Sequence, residues 1–313
     1  MKAVILTLIA ITATMSLEAQ SRKYISNFQF FQSYLNPAMT GFEGTRVNAS
    51  YRSSQWAGFE GAPKTYMVSA DVSSGSGHSY GISLLQDSFG PYKENQVFLN
   101  YEYAIQLSKT TQLRAGVAAT LDMQRLDLST LQLNVQNDPM YQNFVNDFNK
   151  SMVIDFNTGL ALTSNHFYLG YALQNASRGA LAGKEDFFNT AGKFHHVGQA
   201  GLRLPLSKTL GIVVNGLYRY DPSSLQSIEG QVKTVFYNTA WIGVGYRSDM
   251  AYVGSVGFCV SQARIGFSYE LPNSTRTITS KTSELVVSYK FNSRQRQSYG
   301  NYRKPNRKTL SIW

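Results

Sequence analysis

Side chains along this chain change character with a period of two. In residues 240–247, Ala240, Ile242, Val244 and Tyr246 are apolar or interfacial, and Trp241, Gly243, Gly245 and Arg247 alternate with them. Residues 154–162 repeat the pattern, with Phe156, Thr158, Leu160 and Leu162 set against Asp155, Asn157, Gly159 and Ala161. Successive side chains of a β-strand point to opposite faces of the sheet. One face is therefore greasy and aromatic, and the other carries Gly, Ser, Asn and charges. Transmembrane β-barrels are built this way, polar inside and apolar toward lipid. The alternation predicts an all-β fold, a transmembrane antiparallel β-barrel.

The first residues read as a secretory signal peptide. Lys2 opens it, Ala3 to Met15 is apolar, and Ser16-Leu17-Glu18-Ala19 precedes a cut before Gln20. Gln20 follows the cut where a lipoprotein anchor would need cysteine. No later stretch offers the roughly 18 uninterrupted apolar residues that a spanning helix requires. The exported chain is then soluble or a barrel. Charged residues make up only 15% of the sequence and aromatics 13%, with 20 tyrosines. Soluble domains carry about 25% charged residues, so the composition favours a barrel with aromatic girdles over a secreted β-sandwich.

The net charge is +10. Much of it lies at the carboxyl end, where Arg294, Arg296, Arg303, Lys304, Arg307 and Lys308 follow one another with no acid after residue 292. Nucleic acid is a poor partner for an exported protein, and a basic tail meeting an acidic protein partner is the better reading. Cys259 is the single cysteine and has no internal disulfide partner. It falls on the small-residue face of 252–260, as a packed thiol.

About fourteen strands are predicted, the even count that single-chain bacterial barrels use. They lie near 45–53, 64–73, 79–86, 95–107, 110–123, 152–163, 166–174, 195–205, 209–220, 224–232, 236–247, 250–260, 263–271 and 283–292. Links after even-numbered strands are short, as at Ser74–His78, Ser108–Lys109, Ser164–Asn165, Leu206–Lys208 and Ser261–Gln262. Several links after odd-numbered strands are long: 54–63, 124–151, 175–194 and 272–282. Outer-membrane barrels have short periplasmic turns and long outer loops, which places both termini in the periplasm. The expected division is a signal peptide at 1–19, a periplasmic N-terminal segment at 20–44, the barrel at 45–292 and a basic periplasmic tail at 293–313.

The inward positions include Arg46, Arg52, Asp71, Glu102, Arg114, Asp122, Asp155, Arg203, Arg219, Arg264, Glu270 and Glu284. Both signs are present, and an unpaired buried charge is costly. The mixture predicts ion pairs across strands and a polar-packed interior in place of a selective channel.

No catalytic constellation is evident. His195 and His196 are adjacent, so on a strand they point to opposite faces and make a poor metal pair. The turn SGSGH at 74–78 lacks the lysine and following helix of a phosphate loop. No nucleophile elbow surrounds any serine. The expectation is a non-enzymatic protein with no cofactor and no metal.

Residues 28–41 read Phe-Gln-Phe-Phe-Gln-Ser-Tyr-Leu-Asn-Pro-Ala-Met-Thr-Gly, and Tyr51-Arg52-Ser53-Ser54-Gln55-Trp56 follows. Later come Gly81-Ile82-Ser83-Leu84-Leu85-Gln86-Asp87, Phe167-Tyr168-Leu169-Gly170, Arg264-Ile265-Gly266-Phe267-Ser268-Tyr269 and Ser288-Tyr289-Lys290-Phe291. In order and spacing this chain resembles the PorP/SprF family of Bacteroidota outer-membrane proteins, over essentially its whole mature length. It departs from that pattern at Ser53-Ser54, where an Asn beside the Gln is expected, and in the length of its basic tail. The resemblance implies a component of the type IX secretion system. The implied partners are a peptidoglycan-binding periplasmic lipoprotein, the translocon, the C-terminal domains of exported substrates, and outer-membrane lipid.

Asn36-Pro37 reads independently as a turn that sets the chain entering strand one. Residues Asn36, Pro37, Trp56, Phe59 and the six basic tail residues are the candidate partner contacts. Trp56 and Phe59 are alternatively girdle aromatics, and Asn36-Pro37 alternatively part of a structural plug. A passive porin or solute channel, and a structural barrel or adhesin, are the competing functional readings.

Overall fold

The structure is a computed structural model that describes residues 24–55, 61–74, 76–126, 150–176, 179–182, 194–221, 226–248, 250–273 and 281–291. The strands are β1 (Arg46–Ser54), β2 (Lys64–Ser73), β3 (His78–Phe89), β4 (Tyr92–Gln106), β5 (Thr111–Leu126), β6 (Lys150–Ser164), β7 (Phe167–Gln174), β8 (Gly179–Ala182), β9 (His195–Pro205), β10 (Leu210–Tyr220), β11 (Ser227–Phe236), β12 (Ala240–Arg247), β13 (Ala251–Val260), β14 (Ala263–Pro272) and β15 (Thr282–Lys290). All pair antiparallel with their neighbours in one sheet, and β1 pairs with β15 from Arg46↔Lys290 to Ser54↔Thr282. The sheet thus closes on itself, which leaves no unpaired edge to lipid.

β8 pairs with β6 beyond the stretch that β7 covers, so it continues β7 along the same neighbour. The wall is a closed antiparallel barrel of 14 strands. No described helix is long and apolar enough to cross a membrane. The connections 107–110, 165–166, 206–209, 237–239 and 261–262, all short, lie at one end, here the short-turn end, and 90–91 is a short turn at the other. The connections 55–63, 127–149, 183–194 and 273–281 leave from the other, the long-loop end. β1 begins and β15 finishes at the short-turn end.

The alternation is realised residue by residue. On β12, Ile242, Val244 and Tyr246 are exposed, and Trp241, Gly243 and Arg247 are buried. The outward face carries Leu99, Val117, Leu160, Leu169 and Val256 in its middle. Aromatic residues border it toward both ends: Tyr51 and Tyr66, ring centroids 4.9 Å apart, lie on the long-loop side, and Tyr80 and Tyr101, 5.6 Å apart, on the other. This is the apolar band with flanking aromatics of a membrane barrel.

One stretch departs from the sequence reading. Strands expected near 224–232 and 236–247 are instead β11 (Ser227–Phe236) and β12 (Ala240–Arg247), with the turn at 237–239. Lys233 is not a turn residue. It points into the lumen, its ammonium 6.0 Å from the Phe30 ring and 6.0 Å from the Trp241 ring, where the cation is stabilised over aromatic faces.

Two inward glycines make room for rings from the neighbouring strand. Gly257 is the register partner of Trp241, and a Cβ there would stand 2.0 Å from the indole. Gly201 stands in the same relation to Tyr168, its register partner. Such ring-over-glycine pairs pin strand register. Gly257→Ala is expected to destabilise the barrel by about 1–3 kcal/mol, the usual cost of overpacking. Heat-modifiable gel migration will measure it: the folded form should be lost at lower temperature than in the parent, and an unchanged transition would show that the ring moves aside freely.

Candidate functional site: a lumen occupied by the chain's own N-terminal segment

A barrel of about eight strands is narrow enough for wall side chains to fill. Fourteen strands leave more space, and here residues 24–42 occupy it. The segment folds as a 3₁₀ turn (Phe28–Phe30), one α-helical turn, α1 (Gln32–Leu35), and a second 3₁₀ turn (Pro37–Met39). Ile25, Phe28, Phe31, Asn36, Ala38, Met39 and Thr40 are each at most 2% exposed. Full burial of a large apolar side chain is worth roughly 2 kcal/mol, so the apolar residues alone hold the segment firmly.

Apolar wall residues receive them in patches. Phe28 and Leu35 pack with Ala172, Val197 and Leu217, and Ala38 and Met39 with Ala161 and Tyr168. Tyr34 meets Phe98 edge-on with centroids 4.9 Å apart.

Asn36-Pro37-Ala38 is seated on three inward glycines of β5, β6 and β7. A Cβ on Gly116 would stand 2.3 Å from the Ala38 nitrogen, one on Gly159 2.0 Å from Asn36 Oδ1, and one on Gly170 2.8 Å from Asn36 Nδ2. Only backbone without side chains lets the segment approach so closely. Asn36 Oδ1 accepts from the Ala38 N–H at 3.0 Å and caps the turn that Pro37 opens, a favoured pairing of cap and first-turn proline. Asn36 Nδ2 donates to the Leu160 carbonyl at 3.3 Å.

Wall side chains satisfy the segment's backbone. Asn100 donates to the Ser33 carbonyl and Gln174 to that of Leu35. Arg114 donates to the carbonyls of Ala38 at 3.1 Å and Thr40 at 2.9 Å, and pairs with Glu102 at 3.1 Å. Gly41, at φ +67°, turns the chain out past Ser79 toward β1, a conformation glycine adopts without strain.

At the long-loop end the segment is held by carboxylates. Glu284 accepts from the backbone N–H groups of Ser26 at 2.7 Å and Asn27 at 3.0 Å. The Ser26 hydroxyl donates to Glu270, and Asn27 Nδ2 to Ser268 at 2.9 Å. These carboxylates belong to an ionic network: Arg52–Glu270 at 2.9 Å, Arg247–Glu229 at 2.8 Å and Arg247–Glu270 at 3.1 Å. The Tyr24 ring lies under two guanidinium groups, Arg247 at 4.6 Å and Arg219 at 5.4 Å. At the short-turn end one oxygen of Glu43 pairs with both Arg46 and Arg264 at 3.1 Å.

The mixed-sign inward charges therefore pair across strands as the alternation predicts. Sequence reasoning missed Glu229 and Lys233 as lumen charges, although both continue a period-two series through Val235, and Arg247 lies on the inward face that the alternation assigns to it. The expected periplasmic placement of residues 20–44, with Asn36 and Pro37 meeting a partner, is corrected for the described part. Both residues are buried in the lumen, because the wide ring needs this volume filled and the glycine seat fits no bulkier backbone. Trp56, Phe59, Arg294, Arg296, Arg303, Lys304, Arg307 and Lys308 lie outside the described residues.

Among the described residues no group of His, Cys, Asp and Glu is placed to hold a metal ion. His195 faces inward, 3.2 Å from Asp221, and His196 faces outward toward Tyr171 and Tyr220. The Cys259 thiol packs against the lumen's apolar cluster.

A family model described as "Type IX secretion system membrane protein PorP/SprF" matches residues 17–289. The chain belongs to the PorP/SprF family. No curated protein matches the sequence. Among solved structures, the outer membrane protein Omp33 of Acinetobacter baumannii is 7% identical, covering 79% of this chain and 96% of its own, with a TM-score of 0.43. The toluene transporter TbuX of Ralstonia pickettii is 13% identical, covering 81% and 91%, with a TM-score of 0.47. The KdgM porin is 6% identical, covering 79% and 99%, with a TM-score of 0.39. These likenesses concern the barrel fold alone. Family and fold together make this PorP/SprF protein an outer-membrane barrel of type IX secretion.

Two substitutions probe the seat and the latch. Gly159→Val fills the place of Asn36 Oδ1, so the amides of residues 36 and 38–40 should lose hydrogen-exchange protection while β5 and β6 keep theirs. Glu284→Gln weakens charged hydrogen bonds worth about 2 kcal/mol each, so amides 26 and 27 should exchange first. Unaltered protection of 24–42 in both variants would show that neither contact holds the segment.

Proposed function

We propose that this barrel is an accessory docking component of the type IX system and does not itself conduct the exported protein. The observation that carries the reading is the occupied lumen. A folded or extended substrate has no path past Phe28, Phe31 and Met39, which are buried against the wall on every side described. The useful surfaces are then the two ends. With the short-turn end in the periplasm, as in barrels generally, the start of β1 and the basic tail after Lys290 face the periplasmic machinery. The partners proposed there are a peptidoglycan-binding lipoprotein and the translocon. The long-loop end faces outward, where the C-terminal domains of exported substrates arrive. The role is binding, with no catalytic step and no cofactor.

Deleting the gene should leave substrates with type IX C-terminal domains in the periplasm, read by fractionation and immunoblot; normal export would sink the reading. The solute-channel alternative makes the opposite forecast in planar bilayers. The intact protein should give little steady conductance, and a variant lacking residues 24–40 should give a large one. Large conductance from the intact protein would revive the channel.

A further inference from the structure

The course of the N-terminal segment through the lumen has a direction. Gly41 packs against Ser79 and Ser73, at the ends of β3 and β2 next to their short turn. Tyr24 lies against Arg219 and Arg247. Arg247 is the last residue of β12 and Arg219 the last but one of β10, both at the long-loop end. Ser26 and Asn27 are held by Glu270 and Glu284, near the end of β14 and the start of β15 at that same end. Between Tyr24 and Gly41 the chain therefore traverses the barrel.

We propose that the two ends of this chain lie on opposite faces of the membrane: whatever precedes Tyr24 emerges at the long-loop mouth, and the tail after Lys290 leaves at the short-turn end. The parity of strands puts the ends of the wall on one side, but the threaded segment adds one more crossing. A return of the preceding residues down the lumen is blocked, because Phe28, Phe31, Leu35 and Met39 fill it. The wall offers no gap for a sideways exit at Tyr24, where β10, β11 and β12 are paired in continuous register from Arg219↔Ser227 to Glu229↔Arg247. Tyr24 is also anchored by electrostatics that suit a fixed exit point: two guanidinium groups lie over one ring, and that of Arg247 is paired with Glu229 and Glu270. The residues just upstream are Arg22 and Lys23, and at the mouth they lead into, acids outnumber bases by seven to four over the joining segments 55–63, 127–149, 183–194, 221–226 and 273–281, the last of which is itself basic. Opposite charges favour its staying there.

This inference deepens the docking reading and rests on it for which face is periplasmic. It gives the outward surface a chain end besides the loops, and leaves the basic tail as the chain end on the machinery side.

Single cysteines in a Cys259→Ser background, in the full-length protein in its native outer membrane, test it with a membrane-impermeant maleimide. The positions are Lys23→Cys, Asn143→Cys in the longest connection at the long-loop end, and Ser311→Cys in the tail. Heat-modifiable migration confirms that each variant folds. In intact cells Lys23→Cys should label as fully as Asn143→Cys, and Ser311→Cys only after permeabilisation. Labelling of Lys23→Cys with the same pattern as Ser311→Cys, or in neither condition, overturns the proposal. If Lys23→Cys and Asn143→Cys label together only after permeabilisation while Ser311→Cys labels in intact cells, opposite ends stand and the assumed orientation of the docking reading falls.

Discussion

Inside lipid a sheet must close on itself, because an unpaired strand edge has no water to satisfy it. Closure is the constraint from which the rest of this molecule follows. A ring of 14 strands encloses more space than its inward side chains fill. That space is lined by arginines, glutamates, serines and asparagines, which are costly if left dry and unpaired. The chain meets both demands with its own first residues. Phe28, Phe31, Leu35 and Met39 supply volume, and the backbone around them supplies partners for Glu284, Arg114, Asn100 and Gln174.

The holding contacts divide by chemistry along the axis. In the middle the fit is steric, with Asn36-Pro37-Ala38 lying on Gly116, Gly159 and Gly170. At the long-loop end it is electrostatic, with carboxylates gripping backbone N–H groups. A steric seat fixes position and register but tolerates little change of shape. A charged latch tolerates small displacement and weakens with ionic strength where water reaches it. The segment is thus held by shape at its centre and by charge at its long-loop end.

The wall was legible in the sequence because a half-lipid, half-polar environment imposes period two on every strand. Asp155, Arg203 and Glu284 could be placed inward from their neighbours alone. The boundary between β11 and β12 was not, since Lys233 looks like a turn residue unless Phe30 and Trp241 are known to stand beneath it. The threaded segment was legible only in part. Asn36-Pro37 announces a turn wherever it occurs, and local pattern allowed both a structural plug and a periplasmic partner contact without choosing between them. Two signals pointed to the plug. Residues 28–31 are too aromatic for a solvated periplasmic strand. Inward glycines recur at 116, 159 and 170, where wall side chains would otherwise fill the lumen, so something had to press against them.

The glycine seat carries a consequence for the order of events. It is assembled from β5, β6 and β7, in the middle of the chain, whereas the residues it receives precede β1 in sequence. Those residues have nowhere to settle until the central strands stand side by side. Seating of residues 36–38 therefore follows the pairing of β5, β6 and β7, however early those residues are made.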